Sequence, residues 1–202
     1  MKNYFIFIAC AVFLFSACKK AEKEDYTKYV NPFIGAAEYG HCFPGACVPF
    51  GLIQVGSETG NGGWEYCSGY QSTDSTINGF TQNRLNGTGC PDLGDLLMLP
   101  FTGGKPDDFK STINKQTEKA SPGYYSVELS DFGIDAEMTA THHVALHRYK
   151  YPKGQKTNLL VDFQSSQCSS MAQLREHVQD AKVNFEGDKI ITGYSNNTSL
   201  RN

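Results

Sequence analysis

The second half of the sequence consists of short runs in which apolar and polar residues alternate, and this pattern most restricts the possible fold. Alternation with a period of two is typical of strands that bury one face. The turn residues Asp131-Phe132-Gly133 and Pro152-Lys153-Gly154 separate some of these runs. We therefore predict an all-β fold, an antiparallel β-sandwich. Its strands are expected at residues 125–129, 134–139, 145–151 and 158–163.

The first half of the sequence is dense in glycine, proline and aromatic residues from residue 26 to 66, which interrupts any helix. Residues 72–95, rich in Ser, Thr, Asn and Gly, are predicted to form a loop. Two strands are predicted at residues 52–55 and 96–99, the second ended by Pro100.

The last part of the sequence predicts a helical turn at residues 171–177 and a hairpin of residues 181–185 with 190–192. The polar residues 193–202 follow the hairpin without a further strand. We therefore expect residues 28–202 to form one sandwich domain that is incomplete at its C-terminal end.

The first 17 residues have the features of an export signal. A basic start precedes an apolar run from Tyr4 to Leu14, which is too short to span a bilayer as a helix. Small residues then precede Cys18, as in a bacterial lipobox, although Phe15 stands where leucine is more usual. We expect lipidation at Cys18 and a charged tether over residues 18–27; an ordinary cleaved signal is the alternative.

The charge balance excludes one class of partner. With 18 Lys and Arg against 21 Asp and Glu, the formal net charge is −3. Nucleic-acid binding needs an excess of basic side chains to meet phosphates, so no nucleic-acid partner is expected.

The cysteines predict thiols rather than a zinc site. Apart from Cys10 and Cys18 an odd number remains, which leaves at least one free thiol in a monomer, and no CxxC pair occurs. We expect partly buried thiols among Cys42, Cys47, Cys67, Cys90 and Cys168.

Three groups of residues are candidates for chemistry. In the cluster of His142, His143 and His147, the last two would share a face of a helix and could hold a metal, but the alternation indicates a strand, where ordinary surface histidines are the expected interpretation. Asp92 and Asp95 could do acid–base work or hold a cation; capping of a glycine-rich loop is the favoured alternative.

Trp64 is the only tryptophan and follows three flexible residues, Asn61-Gly62-Gly63. Its broad apolar face could stack on a sugar ring. A single tryptophan is equally often part of a core. From the residues alone, both interpretations stay open.

Six blocks of sequence resemble, in the same order, the N-terminal domain of glycoside hydrolase family 92, the calcium-dependent, exo-acting, inverting α-mannosidases of gut Bacteroidetes. The blocks are YVNPFIG at 29–35, HCFPGACVPFGLIQ at 41–54, WEYCSGY at 64–70, LNGTGCPDLGD at 85–95, EKASPGYYSV at 118–127 and HRYKYP at 147–152.

The resemblance implies a β-sandwich packed on a catalytic (α/α)6 barrel that this sequence lacks. The catalytic residues and most ligands of the Ca²⁺ ion would lie in that barrel, so we expect no catalytic or metal-binding residue in this chain and no activity of the fragment alone. The substrate would be α-mannosylated glycans, and the protein would be lipid-anchored in the periplasm or on the outer surface of a Gram-negative bacterium. A stand-alone carbohydrate-binding or scaffold lipoprotein, or a decayed gene fragment, is the alternative.

The resemblance also suggests substrate-facing residues. Trp64 matches a family tryptophan that in some members forms part of the leaving-sugar subsite, and the loops 41–44 and 87–95 match blocks at the domain interface. The candidate binding residues are Trp64, Glu65, Cys67, His41, Asp92, Asp95 and Arg84.

The sequence departs from the family pattern near these residues. Thr81–Gly89 reads TQNRLNGTG where the family commonly has SHTHLSGTG, Gln71 stands where histidine is frequent, and Trp64–Tyr66 replaces the usual WDW. These departures suggest a linkage preference other than α-1,2, and Arg84 could face an anionic or otherwise decorated glycan.

Overall fold

The structure is a computed structural model that describes residues 23–60, 63–167 and 178–197. The predicted signal, Cys18, Cys168 and the predicted helical turn at 171–177 lie outside these residues. Within them, regular structure consists of strands and three short 3-10 turns, at Tyr26–Tyr29, Glu38–Gly40 and Trp64–Tyr66. No helix in this part of the chain is long and apolar enough to cross a membrane.

The strands are β1 (Ala46–Cys47), β2 (Gln54–Glu58), β3 (Thr76–Ile77), β4 (Gly79–Thr81), β5 (Leu97–Thr102), β6 (Ser111–Thr112), β7 (Lys119–Ser121), β8 (Tyr124–Leu129), β9 (Ile134–Ala140), β10 (Ala145–Lys150), β11 (Thr157–Asp162), β12 (Val178–Glu186) and β13 (Ile190–Asn197).

Two antiparallel sheets form the predicted sandwich. One has the order β1-β2-β4-β5-β11 and the other the order β10-β9-β8-β7. Alternate residues of facing strands, such as Val55, Phe80 and Leu99 on one sheet and Val127 and Met138 on the other, are buried together in the core. The fold class predicted from the alternating runs is confirmed.

The second half of the chain follows the predicted strand positions closely. Strands β8 to β11 each begin and end within a residue of the predicted runs, because their alternation marks the buried face directly. The predicted hairpin is β12 paired with β13, and both its strands are longer than predicted.

Three expectations in the first half were wrong. The segment 72–95 is not all loop, because Gly79–Thr81 forms β4 between β2 and β5; with only three residues and one large apolar side chain, β4 gives no periodic signal. Strand β5 also continues through Pro100. Strand β4 pairs with β5 only at Phe80 and Met98. The pairing of these two strands therefore does not need a hydrogen bond from residue 100, where proline has no N–H group. The strand predicted at 52–55 is displaced along the chain, because β2 begins two residues later and ends three residues later.

Polar contacts connect the two sheets through the core. The Ser57 hydroxyl on β2 and the Tyr125 hydroxyl on β8 are 2.7 Å apart, and Tyr125 donates to a Glu118 carboxylate oxygen at 2.6 Å. Buried polar groups are stable when they are paired in this way, and such pairs fix how the sheets face each other.

Candidate functional site

Trp64 lies at the start of the 3-10 turn 64–66 and exposes 58% of its surface. Gly63 precedes it with a φ of +83°, a conformation that glycine adopts at little cost. The side of the indole lies against the loop at Gly89, where a Cβ atom would be only 2.7 Å from Cζ2 of the indole. Of the two interpretations of Trp64, the structure therefore supports an exposed aromatic side chain rather than one in the core.

His41 is the ring neighbour of Trp64. It follows the 3-10 turn 38–40 in a left-handed conformation, with a φ of +52°. The centroids of the two rings are 5.5 Å apart and the rings are tilted by 56°. The imidazole is buried, and within the part of the chain that the structure describes its Nε2 atom has no hydrogen-bond partner.

The loop after Arg84 is attached to the same place. Gly87 donates its N–H to the carbonyl oxygen of His41 at 2.6 Å, and its φ of +72° again suits glycine. Together with the contact between Gly89 and Trp64, this bond brings the sequence blocks around His41, Trp64 and Gly87 to one site. The blocks are separate along the chain and adjacent only in the fold.

Cys67 and Glu65 lie on either side of the site surface. The Cys67 thiol is buried, donates to the carbonyl oxygen of Trp64 at 2.9 Å, and has a pKa raised mainly by burial. Cys67 therefore supports the turn from below, whereas the Glu65 side chain is exposed beside Trp64. The described cysteines Cys42, Cys47, Cys67 and Cys90 are all free thiols; Cys42, Cys47 and Cys90 are partly buried, as expected, and Cys67 is fully buried.

Arg84 differs from the expectation, because it points into the protein and exposes only 1% of its surface. Its guanidinium lies over the Phe43 ring, 4.4 Å from the centroid, and so does not face a glycan at the surface. The donors are used internally: they bind the carbonyl oxygens of Gln54, Gly56, Ser57 and Ser68 and the hydroxyl of Thr81, at 2.6 to 3.3 Å. Arg84 ties strand β2 to the segment that follows Trp64.

Glu58 is buried beside Arg84. The Glu58 carboxyl oxygens accept hydrogen bonds from Thr81 and from the side-chain amide of Gln167. Burial raises the pKa of Glu58 to about 8, against the opposing charge of Arg84. Desolvation exceeds the attraction here because the whole carboxyl group is removed from water.

The carboxylates of Asp92 and Asp95 are engaged within their own loop. Asp92 is buried and accepts the N–H of Leu93 at 2.8 Å, and Asp95 accepts the amide of Asn83 at 3.0 Å. The main-chain N–H of Asp95 binds the Asn83 side chain in return, at 2.8 Å. The Asp92 contact with a main-chain N–H group agrees with the loop-capping interpretation that the sequence favoured, whereas the Asp95 carboxylate binds a side-chain amide instead.

The three histidines of the HHxxxH cluster do not converge. His142 and His143 lie exposed in the turn between β9 and β10, while His147 on β10 points inward. His147 is half-buried rather than a surface histidine; its Nε2 atom is 2.8 Å from Oε1 of Gln82, and burial lowers its pKa to about 4. Among the residues that the structure describes, no three His, Cys, Asp or Glu side chains are grouped to hold a metal ion. The described His, Cys, Asp and Glu side chains therefore do not fit a calcium site.

Comparison with known proteins identifies the family. Residues 29–202 match the model of the glycosyl hydrolase family 92 N-terminal domain. The chain belongs to glycoside hydrolase family 92.

Related proteins agree with this family 92 assignment. An uncharacterized secreted glycosidase of Arthroderma benhamiae is 31% identical over 182 residues, which cover 82% of this chain and 22% of that protein. A family 92 α-mannosidase of Bacteroides thetaiotaomicron, solved in complex with mannoimidazole, is 35% identical with a TM-score of 0.75, over 85% of this chain and 23% of that one. A second solved family 92 glycosyl hydrolase is 26% identical with a TM-score of 0.70, over 85% and 24%. The chain thus spans less than a quarter of each relative, and its described residues include no helical barrel.

One residue of this candidate site is not evident from the sequence. In the sequence analysis, Gln71 stands out only as a departure from the pattern that the resemblance implies. In the structure, its side chain contacts both turns that carry His41 and Trp64. A polar residue inside an apolar and glycine-rich stretch is the signal available. Its partners are main-chain oxygens, which leave no trace in the sequence.

Proposed function

We propose that this chain is the carbohydrate-facing N-terminal domain of an exo-acting enzyme that removes terminal α-mannose from glycans with inversion. The observation that carries the proposal is the exposed indole of Trp64, held beside His41 and the loop at Gly89. A sugar ring has an apolar face that stacks on an indole, and polar groups at the edge of the indole orient the hydroxyls. Trp64 would bind the sugar next to the bond that is cleaved, with Glu65 at its edge.

The reaction itself belongs to the rest of the enzyme. Inverting hydrolysis needs one carboxylic acid to protonate the leaving oxygen and one carboxylate to activate water, roughly 6.5–9.5 Å apart. Asp92 and Asp95, the carboxyl groups that the sequence offered, are engaged in their own loop. We therefore propose that the catalytic carboxyl groups, and the calcium ion of the complete enzyme, are held outside this chain, which is inactive alone.

Export and lipid attachment through Cys18 are part of the same proposal. The Arthroderma relative is a secreted glycosidase, which supports export. An exported enzyme with this domain would meet α-mannosylated glycans outside the cytoplasm, and the charged residues 18–27 would act as a tether between lipid and domain.

The experiment uses residues 19–202 and the single tryptophan as a probe. Titration with methyl α-mannoside should change the Trp64 fluorescence in a saturable manner, whereas methyl β-galactoside should not. The same preparation should release no nitrophenol from 4-nitrophenyl α-mannoside above a buffer control. An unchanged fluorescence up to molar sugar would reject the carbohydrate-facing role, and measurable hydrolysis would reject inactivity alone.

A further inference from the structure

Gln71 lies beneath the two turns that carry His41 and Trp64. It is buried, with 6% of its surface exposed, and follows Tyr70 at the end of the segment that begins with Trp64. Its main-chain N–H donates to the hydroxyl of Thr59 at 2.9 Å, which fixes the backbone at this point. The Gln71 side chain therefore extends from a main chain whose position is held by this hydrogen bond.

The side-chain amide of Gln71 joins the two turns directly. Nε2 donates to the carbonyl oxygen of Glu38 at 2.7 Å and to that of Glu65 at 2.5 Å. Glu38 begins the turn that ends before His41, and Glu65 is the middle residue of the turn that begins with Trp64. Both hydrogens of one nitrogen are used, so the distance between the turns is set by a single planar group.

We propose that Gln71 is a positioning residue that sets the separation and tilt of His41 and Trp64, and through them the surface offered to the sugar. This inference rests on the proposed carbohydrate-facing function. Gln71 does not touch the sugar itself. Its effect passes through the main chain of the two turns, because a carbonyl oxygen that loses a buried donor must move toward water or another partner.

The chemistry of the amide explains why other side chains would not replace it. A glutamate at residue 71 could not donate to either carbonyl oxygen, and an asparagine is one methylene too short to reach both. A neutral histidine has one N–H group and could satisfy only one of the two carbonyl oxygens. Of these side chains, only glutamine both reaches and donates to the two carbonyl oxygens, which is why we expect substitutions at residue 71 to change the separation of the two turns.

The test compares Gln71→Met, which keeps the length of the side chain without its donors, with Asn158→Leu. Asn158 is a matched control because its side-chain amide also donates to two carbonyl oxygens, those of Gly103 and Lys156, but on strand β11. Three quantities are measured on residues 19–202: the thermal midpoint, the time-resolved fluorescence anisotropy of Trp64 without sugar, and the affinity for methyl α-mannoside.

We expect Gln71→Met to unfold cooperatively, to add a fast component to the anisotropy decay of Trp64, and to weaken sugar affinity by about fivefold or more. Asn158→Leu should leave the anisotropy decay and the affinity unchanged. A folded Gln71→Met with the anisotropy decay of the original chain would overturn the proposal. If Gln71→Met does not fold, Gln71→Asn is measured instead, and loss of folding there too would assign Gln71 a general structural role and reject the positioning role.

The two proposals fail in different ways. If the unsubstituted chain binds no sugar, the carbohydrate-facing function is rejected, while the sugar-free anisotropy still decides whether Gln71 positions Trp64. If the chain binds sugar but Gln71→Met binds it equally well with an unchanged anisotropy decay, only the role of Gln71 is rejected.

Discussion

The indole of Trp64 occupies the space that a side chain at Gly89 would need. A Cβ atom at residue 89 would lie 2.7 Å from Cζ2 and 2.8 Å from Cη2 of the indole, well inside normal contact distance. The absence of a side chain at Gly89 is therefore what allows the loop to pack against the edge of the Trp64 indole. This relationship between a loop and a turn is invisible in the order of residues along the chain.

We predict that Gly89→Ala displaces Trp64 while the sandwich stays folded, because the contact involves an exposed aromatic ring and not the core. The affinity for methyl α-mannoside should fall by about three- to tenfold, the range expected when an aromatic contact worth about 1 kcal/mol is lost. Isothermal titration calorimetry measures it. Gly104→Ala is the matched control, since nothing lies within 4 Å of a Cβ atom there. Equal affinities for the two variants would contradict the prediction.

Arg84 should be among the most sensitive positions for stability. Replacement by Met leaves the carbonyl oxygens of Gly56, Ser57 and Ser68 without their buried donor and removes the positive charge next to Glu58. We expect a loss on the order of 3–5 kcal/mol in the free energy of unfolding, or failure to fold. Urea denaturation monitored by circular dichroism measures it.

Arg148→Met is the control for the loss of a guanidinium group. Arg148 is exposed on β10 and pairs with Glu137 at the surface, so its removal should leave the urea midpoint close to that of the original chain. If Arg84→Met were as stable as Arg148→Met, the interior role of Arg84 would have to be abandoned.

Glu58 should make the chain less stable as the pH rises. In the folded protein its pKa is about 8, whereas in the unfolded chain it is near 4.5, so the folded state holds one more proton between these values. The stability contribution is present below about pH 4.5 and is lost as the pH rises toward 8. Glu58→Gln removes this titration, so the stability of the original chain relative to the variant should decline from pH 5 to pH 8. A constant difference would show that Glu58 ionises as in water.

His147 should have the opposite effect at lower pH. The folded chain keeps His147 neutral down to a pKa of about 4, because burial disfavours the imidazolium, whereas the unfolded chain takes up a proton near pH 6.5. Stability should therefore fall by on the order of 1–2 kcal/mol between pH 7 and pH 5 from this group alone. His147→Gln should lose less stability over this interval in urea titrations. An equal loss in both proteins would refute the assignment.

The hydrogen bonds of His147 explain which tautomer is present. Gln82 presents its side-chain oxygen to Nε2 of His147, since its amide nitrogen donates to the carbonyl oxygens of Phe80 and Leu96. Nε2 must then carry the hydrogen, and Nδ1 accepts from the Tyr149 hydroxyl at 2.8 Å. The alternating run 145–151 predicted the strand, but the partners of His147 depend on how the two sheets face each other.

The sequence by itself determined the sandwich class, strands β8 to β13 and the blocks that resemble family 92. These features depend on local alternation, turn residues and ordered motifs, which are written along the chain. It also singled out Trp64, with two interpretations left open. It could not determine that β4 completes a sheet, because three residues carry no period.

Only the tertiary structure decided the direction of Arg84, the two-turn contact of Gln71 and the neighbourhood of His41 and Trp64. Arg84 and Gln71 bind main-chain carbonyl oxygens, which are the same at every position of a sequence. The neighbourhood of Trp64 depends on Gly89, and the sequence does not show which side chain will fill the space beside a glycine. Which carbonyl oxygen or glycine meets a given side chain is settled by the packing of distant segments, and so the exposed indole and its buried support become one site only in the folded chain.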